Sequence, residues 1–357
     1  MFDPEERQRY IRQFDLSGFG ESGQQDLKKA KILIVGLGGL GIPVAQILNG
    51  MGAGELGLLD GDRVEVHNLH RQSLYREEDI GRSKAEALKD LLQERNSFTK
   101  LHTFSDYINA DTALDLIAYY DVVVDCTDNF GTRYLLNDAC LIKNKPLVQA
   151  ALQGFQGQLS VFNYQEGPTY RCLFPKPPRA DEIPSCDQNG ILGAMPFLVG
   201  SAQALEVVKV VCRLPGILSG SLLLIDVLTH RQQKIRFKLK PENREIKELE
   251  DLYEVPCAFD IEVIRSWATF FEEQEKKSSE LIDVRESTEL KGEIASAHLP
   301  LSQLEKEAPS YPWKSGTDYY LFCRSGKRSL EAQKYLQNNH PKCRFYSIMG
   351  GVEALPA

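Results

Sequence analysis

The stretch Lys31–Gly52, "KILIVGLGGLGIPVAQILNGMG", decides the fold. Its first residues are mostly apolar and predict a buried strand, and the apolar residues at its end predict a helix. Between them a glycine-rich turn contains Gly36, Gly38, Gly39 and Gly41. Glycines in such a turn let backbone amides approach a phosphate at the helix N-terminus. The turn therefore predicts a nucleotide site, which would suit a dehydrogenase, a flavoprotein or a nucleotide-dependent transferase.

The alternation of strand and helix continues towards the C-terminus. Strand-like and helix-like segments follow one another as far as "DVVVDCTDN", residues 121–129. This order predicts an α/β fold with a Rossmann-like, mostly parallel sheet and helices on both faces. The later segments "QGQLSVFNY", "SLLLIDVL" and "QKIRFKL" predict antiparallel strands that extend the sheet.

Length and composition bound the domain organisation. The chain has 357 residues, enough for two domains. We predict a nucleotide-binding domain over residues 1–240, a charged linker over 241–260 and a smaller α/β domain over 261–357. The eight cysteines are scattered through a chain too large to need disulfides, which predicts free thiols in a reducing cytoplasm.

Charge and hydropathy argue against two classes of partner. The formal net charge of −8 disfavours nucleic acid as the main partner. The start "MFDPEERQRYIRQFD" lacks an apolar segment, so we expect no signal peptide, and no apolar run approaches the length of a membrane span. We therefore expect a cytoplasmic protein without a membrane partner.

Polar residues after the predicted strands separate the kinds of nucleotide site. Asp60 ends the second strand, where a carboxylate binds ribose in NAD and ATP sites alike. Arg71 and Lys84 follow, and a hydride-transfer site does not need them because no phosphate bond breaks there. Adenylyl or phosphoryl transfer needs cations to neutralise developing charge. Singly, such cations are usually solvated surface residues. Asp128 lies just past a strand end, where a carboxylate beside phosphates indicates magnesium.

At this point the chain resembles a known family. The segments "RYIRQ", "GLGGLG", "LLDGDRVEVHNLHRQ", "GRSK", "DCTDN", "GQLSVF" and "YRCLFPKPP" are similar to those of the MoeB/ThiF family, relatives of ubiquitin-activating enzymes. The resemblance covers the N-terminal two thirds of the chain. Members bind Mg-ATP and adenylate the C-terminal glycine of a small ubiquitin-like protein.

The resemblance implies a role for each matched position. Gly39 would lie at the nucleotide turn, Asp60 on the ribose and Asp128 on magnesium. Further contacts to the nucleotide are implied for the other polar residues of these motifs, namely Asp62, Asn68, Arg71, Gln72, Lys84 and Asn129. Arg12 matches the arginine that reaches the partner subunit's active site, which implies a homodimer. Arg12, Arg71, Lys84 and Asp128 are the implied catalytic residues of this site.

A cysteine follows the proline-rich segment of the same resemblance. Cys186 lies in the polar loop "IPSCDQNGILGAMP", where a thiol is more reactive than in an apolar helix such as that of Cys212. The ordinary alternative is an inert, partly buried thiol. In the family, a cysteine at this place attacks the acyl-adenylate or forms a bond to the sulfur carrier. The resemblance therefore implies that Cys186 is a second catalytic cysteine.

The zinc ligands of many family members are incomplete in this chain. Two CxxC pairs hold a tetrahedral zinc in those members. Here the first reads "TYRC", with Thr169 and Cys172, and the second is at best "CAFD", with Cys257 and Asp260. Because threonine is a poor zinc ligand, we predict that no structural zinc is bound.

The C-terminal segment "FCRSGKRS", residues 322–329, places a cysteine in a loop before a predicted helix. Protein tyrosine phosphatases have five residues between cysteine and arginine, whereas here four separate Cys323 from Arg328. The smaller loop suits a single sulfur atom, and it resembles the persulfide loop of rhodaneses. "LIDVRE", with Asp283 and Arg285, and "MGGVEAL" agree with this resemblance.

The loop is suited to stabilising a negative charge on the Cys323 sulfur. Backbone amides of Arg324, Ser325, Gly326, Lys327, Arg328 and Ser329 would stabilise a thiolate or persulfide on Cys323. We expect the side chains of Arg324, Lys327 and Arg328 to add positive charge for an anionic donor. The alternative is a degenerate rhodanese used only for docking. Cys140 and Cys343 lie in apolar contexts, and no chemistry is assigned to them.

The two sites together predict a sulfur-activating enzyme. ATP and a small ubiquitin-like carrier ending in Gly-Gly would give an acyl-adenylate, and a persulfide on Cys323 would convert it to a thiocarboxylate for molybdopterin, thiamine or tRNA thiolation. A cysteine desulfurase or thiosulfate would supply the sulfur. Two alternatives remain at this point: an activating enzyme that forms a thioester for conjugation, and a nicotinamide-dependent enzyme with an unrelated C-terminal domain.

Overall fold

The computed structural model describes residues 2–177, 190–250, 253, 264–274, 278–289, 295–314, 316–340 and 342–355. The chain divides into two compact units, the first within Met1–Pro178 and Cys186–Val255 and the second mainly within Pro256–Ala357. Each unit has its own sheet and its own apolar core.

An eight-stranded sheet organises the first unit. Its strands are β1 (Lys31–Val35), β2 (Glu55–Leu59), β3 (Lys100–Phe104), β4 (Val122–Asp125), β5 (Leu147–Gln153), β6 (Gln156–Phe162), β7 (Ser221–Asp226) and β8 (Arg231–Arg236). Their order is β3-β2-β1-β4-β5-β6-β7-β8. The first five strands in that order are parallel and the last three pairings are antiparallel. The predicted mostly parallel sheet and its antiparallel extension are confirmed.

Helices cover both faces of this sheet. They are α1 (Pro4–Arg9), α2 (Ile11–Phe14), α3 (Gly20–Lys29), α4 (Gly41–Met51), α5 (Lys84–Arg95), α6 (Ala110–Tyr119), α7 (Phe130–Ile142), α8 (Tyr170–Leu173) and α9 (Ala194–Cys212). One core lies between the sheet and α3, α4, α5 and α9, and the other between the sheet and α6, α7 and α8. Alternating residues of β1 face the two cores, as Ile34 and Leu33 do. A strand buried on both faces explains the apolar run that opens the deciding stretch.

Helix α9 corrects one expectation. It has 19 residues and is long and apolar enough to cross a membrane by length and composition, contrary to the prediction that no run approaches that length. Val199, Ala204 and Val207 of α9 are fully buried, and the helix packs against α4, β5 and β6. Its apolar character is therefore accounted for by burial in the core.

The second unit contains a smaller parallel sheet. Its strands are β9 (Ile264–Arg265), β10 (Ser279–Asp283), β11 (Ala297–His298), β12 (Asp318–Phe322) and β13 (Arg344–Ile348), in the order β11-β10-β12-β13-β9. Its helices are α10 (Trp267–Gln274), α11 (Leu304–Glu307) and α12 (Lys327–Asn339). Tyr319 and Leu321 of the central strand β12 face one apolar cluster, and Tyr320 and Phe322 face another. Because alternate residues must face the two clusters, the pairing register of β12 is fixed. Cys323 directly follows the last residue of this strand.

The segment after β8 is attached to the first unit. Arg244 donates to the Asn163 side chain at 3.2 Å, and Arg171 forms an ion pair with Glu250 at 2.9 Å. Tyr253 donates to Asp138 at 2.9 Å. Residues 251–252 and 254–260 of the predicted linker lie outside the described residues.

Candidate functional site

The carboxyl ends of β1, β2 and β4 meet at one edge of the large sheet, and the predicted nucleotide residues follow them. The amide of Leu37, in the glycine turn, donates to Asp60 Oδ2 at 2.7 Å, and the amide of Asp62 donates to Asp60 Oδ1 at 2.8 Å. Burial raises the pKa of Asp60, while Lys84 and the two amides act in the opposite direction. Asp60 thus joins the glycine turn to the end of β2.

The glycine turn is closed tightly on itself. A Cβ atom on Gly41 would lie 1.9 Å from the Gly36 carbonyl oxygen, and one on Gly39 would lie 3.0 Å from Pro196 of α9. Gly36 has a φ of 87°, which side chains rarely adopt. The turn requires glycine at these positions and leaves its amides at the start of α4, where a phosphate group would fit.

Lys84 is buried at the start of α5 and paired with an acid. Its side chain is 6% exposed, and its Nζ lies 2.7 Å from Asp62 Oδ2. The Tyr107 hydroxyl donates to the other oxygen of Asp62. Burial opposes ionisation of Asp62, but the hydrogen bonds from Lys84 and Tyr107 lower its pKa below the ordinary value. The structure thus brings Lys84 and Asp62 to the same edge as Asp60.

Tyr75 is a residue of this site that the sequence reasoning missed. Its buried hydroxyl lies 2.9 Å from the carbonyl oxygen of Leu37 and 3.2 Å from that of Lys84. It therefore sets the spacing between the glycine turn and the start of α5. No pattern in the sequence marks it, because it lies in an irregular segment between strand and helix.

The polar segment after β2 forms a compact loop. Arg71 Nη2 donates to Asn68 Oδ1 at 2.9 Å, and Arg71 Nη1 donates to the His67 carbonyl at 3.2 Å. Gln72 is 3% exposed, and its Oε1 has no hydrogen-bond partner within the described residues. A Cβ on Gly38 would lie 3.4 Å from Gln72 Nε2, so Gln72 borders the glycine turn.

Asp128 presents an open carboxylate after β4. It is exposed and makes no hydrogen bond or ion pair within the part of the chain that the structure describes. Asn129 caps α7 by accepting from the Thr132 amide at 2.8 Å. An exposed carboxylate with free oxygens suits a magnesium ion, so the residues present fit the predicted metal.

Asp125 shapes the turn that carries Asp128. It is fully buried, and its Oδ1 accepts from the Thr127 amide at 3.0 Å and the Thr127 hydroxyl at 2.6 Å. Arg133 donates to the Thr127 carbonyl at 3.1 Å. Burial raises the pKa of Asp125, opposed by Arg133 and Thr127. The sequence pattern assigned magnesium to Asp128, which follows the strand end, and assigned no role to Asp125 in "DCTDN".

The remaining predicted residues of the first unit are less constrained. Arg12 is exposed on the short helix α2, and its contribution to a partner subunit stays a prediction. Cys186, Cys257 and Asp260 lie outside the described residues. Across the described ranges, no group of three or more His, Cys, Asp or Glu side chains is placed to hold a metal ion.

Cys172 is held by hydrogen bonds. It is 4% exposed, and its Sγ accepts from the amides of Thr169 and Lys240, each at 3.4 Å. Burial opposes ionisation, but these bonds, the hydroxyl of Thr169 and the side chain of Asn243 lower the pKa of the Cys172 thiol. Donors from the protein thus surround the sulfur of Cys172.

The second site lies at the carboxyl end of β12. Cys323 is 1% exposed, and the Gly326 amide donates to its Sγ at 3.1 Å. The Ser329 hydroxyl lies 3.8 Å from the same sulfur. A Cβ on Gly351, in the "MGG" segment, would lie 2.3 Å from the Cys323 carbonyl oxygen, so this glycine lets the backbone close around the cysteine.

The arginines of the loop are paired with carboxylates, contrary to the expectation that they provide free positive charge. Arg324 Nε lies 2.7 Å from Glu353 Oε1, and Arg328 forms a bidentate pair with Glu289 at 2.5 and 2.8 Å. Arg328 lowers the pKa of Glu289 to about 2. The two arginine charges, predicted to attract an anionic donor, are therefore compensated by carboxylates far along the chain. The Lys327 side chain lies outside the described residues.

The pair Asp283 and Arg285 is structural. Arg285 Nη2 lies 2.5 Å from Asp283 Oδ2, and both side chains are buried. The guanidinium lies 5.5 Å from the centre of the Phe322 ring, next to Cys323. This pair supports the strand end from which the cysteine loop begins.

Substitution of Gly41 by alanine tests the glycine turn. The added Cβ collides with the Gly36 carbonyl, so we expect kcat/KM for ATP to fall roughly 100-fold. Gly50→Ala in the same helix is the control, because a Cβ there meets nothing within 4 Å. The control should retain wild-type kinetics and gain about 0.5–1 kcal/mol of stability. Equal kinetics for both variants would contradict this account of the turn.

Metal analysis tests the zinc prediction. We expect the purified, dialysed protein to contain no stoichiometric zinc, because Cys172 is satisfied by hydrogen bonds and Thr169 is a poor ligand. One zinc per chain retained through dialysis would show that the prediction is wrong.

Comparison with known proteins places the chain. The model of the ThiF family matches residues 10–246. "Adenylyltransferase and sulfurtransferase MOCS3" of Drosophila sechellia is 38% identical over an alignment of 375 residues, gaps included. The alignment covers 97% of this chain and 82% of the relative. The protein of the same name from Culex quinquefasciatus is 48% identical over 218 residues, 61% of this chain and 50% of the relative.

Solved structures share the fold over about two thirds of the chain. PaaA has a TM-score of 0.58 at 23% identity, covering 67% of this chain and 76% of that one. E. coli MccB, in its crystal structure with ATP, has a TM-score of 0.56 at 23% identity, covering 65% and 72%. The family model and the relative that is matched over nearly the whole chain agree with the motifs that carry the resemblance. The chain is a member of the ThiF family.

Proposed function

We propose that this chain is an ATP-dependent adenylyltransferase and sulfurtransferase that acts on a small ubiquitin-like sulfur carrier ending in Gly-Gly. The observation that carries the proposal is the presence of two complementary sites in one chain. The first has a glycine turn, a buried lysine and an open carboxylate, and the second has a cysteine that accepts a backbone amide. The relatives named adenylyltransferase and sulfurtransferase span nearly the whole chain, which supports both activities.

In the first step, a carboxylate oxygen of the carrier's C-terminal glycine attacks the α-phosphorus of ATP, and pyrophosphate leaves. The amides of the glycine turn and the Lys84 ammonium would stabilise charge on the phosphates. Asp60 would orient the ribose, and Arg71 would lie near the leaving group. Asp128 would hold magnesium, which supplies further neutralisation of the phosphates when bound. Adenylation is needed because a free carboxylate is a poor electrophile.

In the second step, a persulfide on Cys323 attacks the activated carbonyl carbon, and AMP leaves. The Gly326 amide would stabilise the persulfide anion before attack. The product is an acyl disulfide between the carrier and Cys323. An external dithiol then reduces the acyl disulfide, which releases the carrier thiocarboxylate and the Cys323 thiol. We assign to Cys186 a transient acyl-disulfide or thioester link to the carrier. A homodimer, in which Arg12 reaches the other subunit, is part of this proposal.

The thioester alternative is not favoured. An activating enzyme that only passes its carrier to a conjugation target transfers no sulfur and does not require an intact persulfide loop. Here the cysteine, its amide donor and the close-packed Gly351 are all present. The nicotinamide alternative is likewise disfavoured by membership of the ThiF family.

Replacement of Cys323 by alanine separates the two steps. We expect Cys323→Ala to retain carrier-dependent exchange of pyrophosphate into ATP and to lose formation of the carrier thiocarboxylate, measured by mass spectrometry of the carrier. Cys343→Ala is the matched control, because Cys343 is a buried cysteine of the same unit. This control should retain both activities. Thiocarboxylate formation by Cys323→Ala at the wild-type rate would contradict the sulfur-transfer step.

A further inference from the structure

An exposed aromatic ring lies at the edge of the large sheet where the predicted nucleotide residues meet. Tyr107 belongs to the loop after β3, and β3 is paired with β2. The loop after β2 begins at Asp60, whose amide donates to the carbonyl of Phe104, the last residue of β3, at 3.1 Å. Tyr107 is 68% exposed. Neither step of the proposed reaction uses its ring.

The ring of Tyr107 is held at two points although most of the side chain is exposed. A Cβ atom on Gly61 would lie 2.8 Å from each of three carbon atoms of the ring, so the ring lies against the backbone of Gly61. The Tyr107 hydroxyl donates to Asp62, whose other oxygen contacts Lys84 Nζ. One face of the ring is therefore covered and fixed in position, and the opposite face contributes to the exposed surface.

The ordinary role of a surface tyrosine accounts for only part of this placement. Single exposed aromatic residues are common on protein surfaces. Here, however, the ring lies where it does because Gly61 has no side chain, and the contact still leaves most of the tyrosine exposed. Burial of so little apolar surface stabilises the fold only slightly. A ring that is fixed in position but scarcely buried is suited to stacking against a planar partner.

The neighbouring strand ends indicate which planar partner fits. In the sheet order β3-β2-β1, the glycine turn follows β1, Asp60 follows β2 and Tyr107 follows β3. The Leu37 amide of the glycine turn contacts Asp60, so the predicted phosphate and ribose positions adjoin. In a nucleoside triphosphate, the base and the phosphates are attached to opposite ends of the ribose. A nucleotide with its phosphates after β1 and its ribose at β2 therefore extends its base towards β3, across two strand spacings of about 10 Å in total.

We propose that the ring of Tyr107 is the platform on which the adenine base of ATP stacks during adenylation. This proposal rests on the proposed function. Stacking of a base on an aromatic side chain adds affinity through the π-face of the base and does not depend on the phosphates. Tyr107 therefore strengthens nucleotide binding through the base and leaves the phosphate contacts of Lys84 and the glycine turn unchanged.

The test compares two substitutions of Tyr107 in the full-length protein. Tyr107→Ala removes the ring, whereas Tyr107→Phe keeps the ring and removes only the hydroxyl that donates to Asp62. Calorimetry measures the binding of Mg-ATP and of ribose 5-triphosphate, which lacks the base. The Kd for ATP should rise about tenfold in Tyr107→Ala and by no more than about twofold in Tyr107→Phe. The Kd for ribose 5-triphosphate should stay the same in both variants.

Tyr119→Ala is the matched control. Tyr119 is a tyrosine of the same unit that is 49% exposed. It lies at the other end of the sheet, because its hydroxyl donates to Glu55, the first residue of β2, at 2.8 Å. We expect the control variant to bind both ligands as the wild type does.

The outcomes separate the stacking platform from the proposed function. Equal loss of ATP affinity in Tyr107→Ala and Tyr107→Phe would overturn the platform and assign the effect to the hydroxyl contact with Asp62. An unchanged Kd for ATP in Tyr107→Ala, or equal weakening of ATP and ribose 5-triphosphate, would also overturn it. In these cases, wild-type binding of Mg-ATP and carrier-dependent exchange would leave the proposed function intact. Failure of the wild type to bind Mg-ATP would defeat both.

Discussion

The hydrogen bond between the Leu37 amide and the buried Asp60 carboxylate is the constraint on which the first site depends. It fastens the glycine turn after β1 to the end of β2, and the Tyr75 hydroxyl fastens the same turn to the start of α5. Because these contacts are formed within the protein, the turn is held in place before a nucleotide arrives. Preorganised amides and a buried ammonium would then face the phosphates of a bound nucleotide without a large reorganisation cost.

In the second site, as in the first, a backbone amide is held in position by the fold, and here it would stabilise an anion on sulfur. A cysteine at the end of a central strand accepts one amide of the loop, and a glycine from a later segment closes over its carbonyl. The loop arginines are tied to Glu289 and Glu353, so backbone dipoles and loop shape contribute more here than free side-chain charge. Joining the sulfur-carrying unit to the adenylating unit would raise the effective concentration of persulfide near the activated carbonyl.

The sequence supplied the architecture and most of the first site because these depend on local patterns. The apolar run before Gly36, the acids at strand ends and Lys84 at a helix start are all readable from spacing and residue type. Tyr75 was not assigned because its role depends on a hydrogen bond to a backbone carbonyl 38 residues away. Asp125 was not assigned because its hydrogen bonds to Thr127 depend on the conformation of the turn after β4, which residue type and spacing do not show. The pairing of Arg328 with Glu289 was likewise missed, since 39 residues separate them. The sequence predicts a long apolar helix at α9, and the packing of that helix against α4, β5 and β6 shows why so long an apolar segment forms there.

The central claim is that this chain activates the C-terminus of a carrier protein with ATP. Its most direct test is exchange of labelled pyrophosphate into ATP by the wild-type protein, with magnesium and a candidate carrier present. We expect exchange that requires the carrier and is abolished when the carrier's terminal glycine is removed. Exchange that proceeds equally without a carrier, or no exchange with any Gly-Gly protein of the source genome, would contradict it.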